Sequence, residues 1–476
     1  MKKTLLSISL VLISFLSNAQ VFDVDTLNWT GSVKNRVNYV ILADGYTSSS
    51  ADQTKLKTDA QKIVTSFFNT IPYKEYKNYV NFILVKVISK QSGASHPKNS
   101  SDNDCGSQPA ATVDNYFGSS FDCGGGNYHR LLCTTKDNLI PGVMASNWPT
   151  YDQVLIIVNT PYYGGAGGQY ATTSTDASGV EIAIHEVGHS FGTLADEYWA
   201  GSQYATNSLP NMTNVSSPTT VKWKHWVGLQ SVGVYPYTGS GSSGWYKPVN
   251  GTCKMEYLGS GYPFCPVCRE THVEKFHKLV RPYDTLSPVT SKQIDVTNKN
   301  IDFKLNTVLP TPNTLKITWT LNGVVQKSVQ NLSLNSLAPS ALKNGSNTLI
   351  ATILDTTAYA RVTSHATQHK YIVTWDLNYS SATGLDIVTQ HSEIEYILSP
   401  NPVTEFLTFK GKLPKAETYT VLATDIKGTQ IKLAEFEYLN LENEVKIPVF
   451  QLSKGIYIID IVGDNGKLIT EKIVVE

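Results

Sequence analysis

His185-Glu186-Val187-Gly188-His189-Ser190-Phe191-Gly192, running on into Thr193-Leu194-Ala195-Asp196-Glu197, decides how the rest of this chain is read. The stretch has the form HExxHxxGxxxDE. On a helix, positions i and i+4 project from one face, so His185 and His189 can offer two imidazoles to a single metal ion. Glu186 sits where a carboxylate can take a proton from water activated by that metal. Gly192 permits the backbone to turn away from the helix and bring back a third ligand from just downstream. The preceding run Gly179-Val180-Glu181-Ile182-Ala183-Ile184 is apolar enough to bury such a helix. A chance HExxH in a chain with ten histidines has no reason to carry the glycine and the acidic pair as well.

Around this stretch the chain alternates strand-like and helix-like segments. Val37 to Leu42 reads as a buried strand ending in Asp44-Gly45, and Asn81 to Val87 and Val154 to Val158 read as two more. Leu56, Ala60, Ile63, Val64, Phe67 and Phe68 recur at helical spacing. Gly164 to Gly168 reads as a glycine-rich turn without the Gly-Lys-Ser/Thr ending of a phosphate loop. Ala171 to Ser174 is then expected as an edge strand before the histidine helix. This alternation predicts an α/β (α+β) domain over 20–281. After Arg281-Pro282 the pattern becomes all-β, with strands in Leu315–Thr320, Thr348–Leu354 and Lys370–Trp375 and turn signals at Asn322-Gly323 and Asn344-Gly345. An immunoglobulin-like β-sandwich over 282–378 is the simplest reading. A polar linker over 379–394 and a small C-terminal β-sandwich over 395–476 complete the expected order, with strands near Phe406, Tyr419, Val445, Tyr457 and Ile473.

Thirty-nine basic and 39 acidic side chains leave the chain neutral, which argues against a nucleic-acid groove or a polybasic membrane patch. At the N-terminus, Lys2-Lys3, a short apolar run from Leu5 to Leu16 and Ser17-Asn18-Ala19 read as a secretory signal peptide over 1–19. No other stretch is long and apolar enough to span a bilayer. For a chain that leaves the cytoplasm, disulfides are the expected state of the six cysteines, 105, 123, 133, 253, 265 and 268. Cys265-Pro266-Val267-Cys268 could instead be half of a zinc site or a redox pair, but no second CxxC completes a four-cysteine cage. No Asp-x-Asp-x-Asp-Gly run suggests calcium.

Several separated pieces together resemble the M64 metallopeptidases, which include an immunoglobulin-A-cleaving enzyme. They are Asn38 to Tyr46, Gly118 to Cys123, Arg130 to Cys133, His185 to Tyr198, Cys253-Lys254-Met255 and Phe264 to Arg269. The resemblance implies a zincin of metzincin type that uses Zn2+, with Met255 as the methionine-turn residue beneath the metal. In metzincins with HExxHxxGxxH the third ligand falls where this chain has Ala195, which cannot bind metal. The resemblance and the short reach from the histidines both favour Asp196 as the third ligand. Glu197 is the alternative, or a partner for a histidine or for the turn. Tyr257, two residues after Met255, has a spacing at which some metzincins place a tyrosine near the zinc, although a packed aromatic is the more ordinary role for it. The C-terminal unit resembles the sorting domain of the type IX secretion system of Bacteroidetes, through Leu398 to Val403, Asp425 to Gly428, Lys454 to Ile458 and Lys472 to Val475. This implies passage through that machinery to the outside or the surface of a Gram-negative cell.

The expected activity is a secreted zinc endopeptidase acting on protein or peptide substrates. His185, His189 and Asp196 would hold the metal, Glu186 would be the general base, and Gly192, Glu197, Met255 and Tyr257 would support them. The competing expectation is a surface adhesion or glycan-binding protein whose zinc site is vestigial or structural.

Overall fold

The computed structural model describes residues 20–98, 108–123, 128–337, 339–380, 396–413, 415–438, 443–464 and 466–476. The segment read as a signal peptide, Cys105 and nearly all of the expected linker lie outside the described residues. Residues up to Ser380 form one unit and those from Ser381 a second.

In the first unit, Val24–Asn28 (β1), Val37–Asp44 (β2), Val80–Val85 (β3), Gln153–Val158 (β4), Gly165–Ala166 (β5) and Ala171–Thr173 (β6) build one sheet in the order β1-β3-β2-β4-β6-β5. The inner strands β3, β2, β4 and β6 are parallel, and β1 and β5 are antiparallel edges. Parallel strands are covered on both faces, which is why β2, β3 and β4 read as unbroken apolar runs; every residue in them is buried. The covering helices are Ser50–Asn69 (α1), Ile140–Asn147 (α2), Gly179–Ser190 (α3) and Pro266–Leu279 (α4). In α1, Ser49 caps the first turn by accepting from the Asp52 N–H, and Leu56, Ala60, Ile63, Val64 and Phe67 turn inward at the expected period. One hydrophobic core joins these helices to the sheet.

At the C-terminal end of β2, the buried Asp44 carboxylate holds the neighbouring loop. Its Oδ1 accepts from the N–H groups of Gly45, Tyr116 and Phe117 and from Ser89 Oγ, and its Oδ2 accepts from the N–H and hydroxyl of Ser119. A charged acceptor with so many donors can be buried without a cation beside it.

Two expectations need correction. Ala171–Thr173 is not an edge strand, because β5 pairs with its outer side. The glycine run makes this arrangement: a Cβ on Gly165 would lie 2.3 Å from Ile182 Cγ2 and one on Gly164 2.5 Å from Phe121, so only glycine lets the segment lie flat against α3. Disulfides do not join all the described cysteines either. Cys123 and Cys133 are bonded, whereas Cys253, Cys265 and Cys268 are buried free thiols.

A second core lies between two sheets further along the first unit. Ile294–Asp295, Tyr371–Tyr379, Gly345–Asp355, Leu315–Leu321 and Val324–Lys327 form one, and Leu332–Ser333, Asp302–Thr307 and Tyr283–Ser287 the other. Phe303 from the smaller sheet packs edge-on against Trp319 and Trp375 of the larger. Asn322 and Gly323, with φ of 53° and 81°, make the tight turn that joins two of the strands. The second unit is again two sheets about one core, that of Leu407, Phe409, Tyr419, Val421, Ile459 and Ile461. All five expected strands occur in it. The strand Gln430–Glu437, half of it charged or polar, does not read as one in sequence. No helix among the described residues is long and apolar enough to cross a membrane.

Candidate metal centre

The apolar face of α3, through Ile182, Ala183, Ile184 and Val187, is buried and leaves His185 and His189 on the side facing the following loop. Met255 lies beneath the helix between the two histidines. A Cβ on Gly188 would fall 2.6 Å from Met255 Sδ, so the glycine within the motif is what admits the methionine. Lys254, beside Met255, forms an ion pair with Glu181 in the first turn of α3.

Each imidazole is oriented by a backbone carbonyl. His185 Nδ1 lies 2.8 Å from the Lys254 carbonyl oxygen and His189 Nδ1 2.8 Å from that of Leu194. A carbonyl oxygen only accepts, so both Nδ1 atoms carry the proton and both Nε2 atoms present a lone pair. The two Nε2 atoms are 3.2 Å apart, and Asp196 Oδ1 lies 3.1 Å from the first and 3.2 Å from the second. That oxygen is buried, and with both Nε2 atoms deprotonated, as a metal would require, the geometry gives it no hydrogen-bond donor. Three donor atoms at such separations are what ligand distances of about 2.0–2.1 Å at near-tetrahedral angles produce. The donor set therefore fits a divalent metal of the zinc class.

Gly192 and its neighbours bring Asp196 into place, though not as expected. The left-handed residue of the turn is Thr193, with φ of 52°. Gly192 is needed for space: a Cβ there would lie 2.7 Å from the Gly188 carbonyl and about 3 Å from the His272 ring. Beyond the turn, each residue is tied. Leu194 N–H donates to Gly188 O, Ala195 N–H to Asn211 Oδ1, Tyr237 hydroxyl to Asp196 O, and Glu197 N–H to Met255 O. Asp196 faces the histidines. Glu197, the next residue, points the other way and meets Cys265 and Cys268 at 3.6 and 3.2 Å.

Electrostatics follow this packing. Burial by itself would lower the His189 pKa, but the Asp196 charge and hydrogen bond raise it to about 9. Burial would likewise raise Asp196, and the two imidazoles hold it well below the carboxylate range. The cluster draws positive charge to one point. Burial pushes the Glu186 carboxyl up, against the pull of His185, His189 and Arg130.

His185 and Glu186 form part of the wall of a cleft of about 480 Å³, with Arg130, Tyr163, Tyr198 and Tyr257 around it. A Cβ on Gly167 would lie 2.6 Å from Glu186 Oε2, so the glycine run forms the near rim. A larger hollow of about 900 Å³ between α1 and the start of α3 contains none of the expected site residues. Tyr257 is half exposed and its ring packs on Tyr262 at 5.3 Å. Tyr198, given no role in the sequence reading, stands closer to the chemistry: burial, followed by the charges of Asp196 and Glu186, raises its pKa, and its hydroxyl bonds to Asp196. Its position next to the acidic pair was the signal available.

Residues 26–241 match the family model described as IgA Peptidase M64, and residues 398–476 match that of the secretion system C-terminal sorting domain. Residues 26–241 are thus similar to the M64 peptidases and the C-terminal unit to the type IX sorting domains, the latter implying the type IX machinery as partner and a secreted or cell-surface destination. No curated protein matches the chain. Among solved structures, SGBP-B of the Bacteroides ovatus mixed-linkage glucan utilization locus is 14% identical, over 41% of this chain and 45% of that one, at a TM-score of 0.14. Latent PorU from Porphyromonas gingivalis is 16% identical over 40% and 19%, at 0.15. The fibronectin(III)-like modules of Clostridium thermocellum CbhA are 13% identical over 40% and 92%, at 0.16. Scores this low carry no argument, and the chain spans less than half the length of the first of these structures.

Proposed function

We propose that residues 20–281 are a zinc-dependent endopeptidase of metzincin type, followed by an immunoglobulin-like sandwich to 378, a linker to 394 and the sorting domain from 395. The observation that carries this reading is the convergence of both Nε2 lone pairs and Asp196 Oδ1 beside Glu186, on the wall of an open cleft. His185, His189 and Asp196 would hold the metal. Zinc bound there supplies an electrophile that polarises the scissile carbonyl and makes water easier to deprotonate. Glu186 takes the proton of the attacking water and passes it to the leaving amine, a role helped by burial that raises its basicity. Met255 fills the floor under the helix, and the Lys254 and Leu194 carbonyls fix the tautomers. A substrate peptide would lie in the cleft, where Tyr257 and Arg130 can reach it. A purely structural metal would be closed off by a fourth protein ligand, whereas His185 and Glu186 face the cleft.

The test is cleavage of a diverse peptide library by the full chain, with and without a zinc chelator, beside Glu186→Gln. The expected result is chelator-sensitive cleavage, with Glu186→Gln holding its metal and losing about 10²–10⁴-fold in rate. Cleavage that survives either treatment would refute the assignment.

A further inference from the structure

Glu197 turns from the histidines into the protein interior. Its carboxylate, fully buried, lies beside the thiols of Cys253, Cys265 and Cys268, each at most 3% exposed. The four ligand-capable atoms all lie within 4.8 Å of one another. We propose that Cys253, Cys265, Cys268 and Glu197 form a second, enclosed zinc site, distinct from the His185–His189–Asp196 centre.

Three independent observations support it. The first is spacing. Cys253 Sγ and Cys268 Sγ are 3.9 Å apart, far beyond a disulfide bond of about 2.05 Å. Tetrahedral zinc with Zn–S of about 2.3 Å and Zn–O of about 2.1 Å sets sulfurs about 3.8 Å apart and sulfur and oxygen about 3.6 Å apart. Glu197 Oε1 lies 3.2 Å from Cys268 Sγ and 3.6 Å from Cys265 Sγ. The second is an unmet need: Glu197 Oε2, the other oxygen of the same carboxylate, is buried with no hydrogen-bond partner, so the buried group lacks the compensation that a cation beside Oε1 would give it. The third is the surrounding scaffold. Asn211 Nδ2 donates to Glu197 Oε1 at 3.1 Å, and the N–H groups of Cys265 and Met255 point at Cys253 Sγ at 3.3 and 3.4 Å. Donors of this kind hold thiolate and carboxylate ligands in place around a metal. Three sulfurs with one oxygen select zinc over magnesium or calcium.

The site has a clear mechanical role. Glu197 directly follows Asp196, and Cys253 stands two residues before Met255. Cys265 and Cys268 belong to the start of α4. A metal here would tie the loop bearing the third catalytic ligand, the methionine turn and α4 to one point. Closed four-ligand sites are structural, as this one would be.

Removing a cysteine threatens the fold, so the test leaves all three untouched. Full-length protein and a His185→Ala/His189→Ala variant are purified and their zinc content measured by elemental mass spectrometry. The expected result is two zinc ions per chain in the first and one in the second. X-ray absorption at the zinc edge of the variant should show about three sulfur neighbours near 2.3 Å, and Co2+ exchanged into it should give the intense charge-transfer bands of cobalt thiolate. One zinc in the parent with none in the variant overturns the proposal, as does a sulfur-free zinc spectrum or a mapped disulfide among the three cysteines. One zinc in both proteins, with sulfur neighbours, upholds it and instead counts against the histidine centre.

Discussion

Among the described residues, two sites pair histidines four residues apart with a carboxylate that reaches both rings, and they differ in where the ring lone pairs point. In α3, His185 and His189 spend their Nδ1 protons on backbone carbonyls and turn both Nε2 lone pairs toward Asp196 Oδ1. At His365 and His369 the carboxylate of Glu274 is shared out: Oε1 meets His365 Nδ1 at 2.5 Å and Oε2 meets His369 Nε2 at 3.0 Å. His365 Nε2 then lies 3.0 Å from the Asp355 carbonyl oxygen, so this nitrogen carries a proton as well. The second cluster is a hydrogen-bonded ion pair joining α4 to the connection between the strands Gly345–Asp355 and Tyr371–Tyr379. Composition and helical spacing are the same in both. What differs is whether lone pairs converge on a shared point or each finds a proton.

The sharpest way to break the contrast is to replace the carboxylate at the converging site. Asp196→Ala should lose one metal equivalent and more than about 100-fold in turnover, beyond the range for removing an outer-shell partner. The zinc proposed at the cysteines should remain. If Asp196→Ala cleaves normally, the lone-pair argument fails. Tyr198→Phe removes the hydroxyl that bonds to Asp196 and should weaken metal affinity or rate by about 10–100-fold. Tyr257→Phe, at a half-exposed ring that packs at a tilt on Tyr262, should leave metal affinity unchanged. A metal titration of the pair, read alongside steady-state rates, separates the two tyrosines.

Much of this was legible in the sequence. The apolar runs of β2, β3 and β4 and the period of α1 announce themselves because burial on both faces, or on one stripe, dictates composition directly. The histidine helix does so too. The sequence favours Asp196 over Glu197 without showing how they part, since both carboxylates are near the histidines; the two face opposite ways by alternation along an extended loop whose ties come from Asn211, Tyr237 and Met255. The free thiols were misjudged because an oxidising destination makes disulfides the default, and Glu197, the residue that brings the sulfurs together, lies far upstream of them. β5 was hidden for another reason. A glycine run has no strand propensity, and its strand character comes from pairing with β6 on one side and with Arg130 to Leu132 on the other.

A smaller effect tests the floor of the open site. Gly188→Ala would drive a methyl group to within 2.6 Å of Met255 Sδ, and overpacking of this kind costs about 1–3 kcal/mol. Met255→Leu keeps the volume and should cost under about 1.5 kcal/mol. Denaturant unfolding should rank them in that order. The Gly188→Ala loss should shrink when combined with Met255→Ala, because the collision is between those two side chains.

The mildest prediction concerns the cluster that does not converge. Glu274→Gln keeps the shape and removes the charge, and should cost about 1–2 kcal/mol in the stability of the first unit. The pH dependence gives the clearer readout. Burial would raise the Glu274 pKa, but the hydrogen bonds from His365 and His369 hold it at about 2. A depressed carboxylate contributes stability that is complete above its unfolded pKa of about 4.3 and is lost as pH falls toward 2. His365 runs the other way. Burial lowers its pKa, the bond and charge of Glu274 more than compensate, and the net shift is upward. Its contribution is complete below about pH 6.5 and fades as pH rises through the raised value. His277, which touches the same rings and bonds to Asp355, is lowered by burial and favours its neutral form, so it contributes above about pH 6.5 and opposes His365. Subtracting the Glu274→Gln profile from that of the parent removes the part of the His277 term set by burial and Asp355, which are the same in both, and leaves only the part set by the His365 and His369 charges. The difference should peak between about pH 4.5 and 6.5 and decline on either side. A flat difference would mean that Glu274 and His365 do not share a proton-dependent bond, and the contrast with α3 would lose its second member.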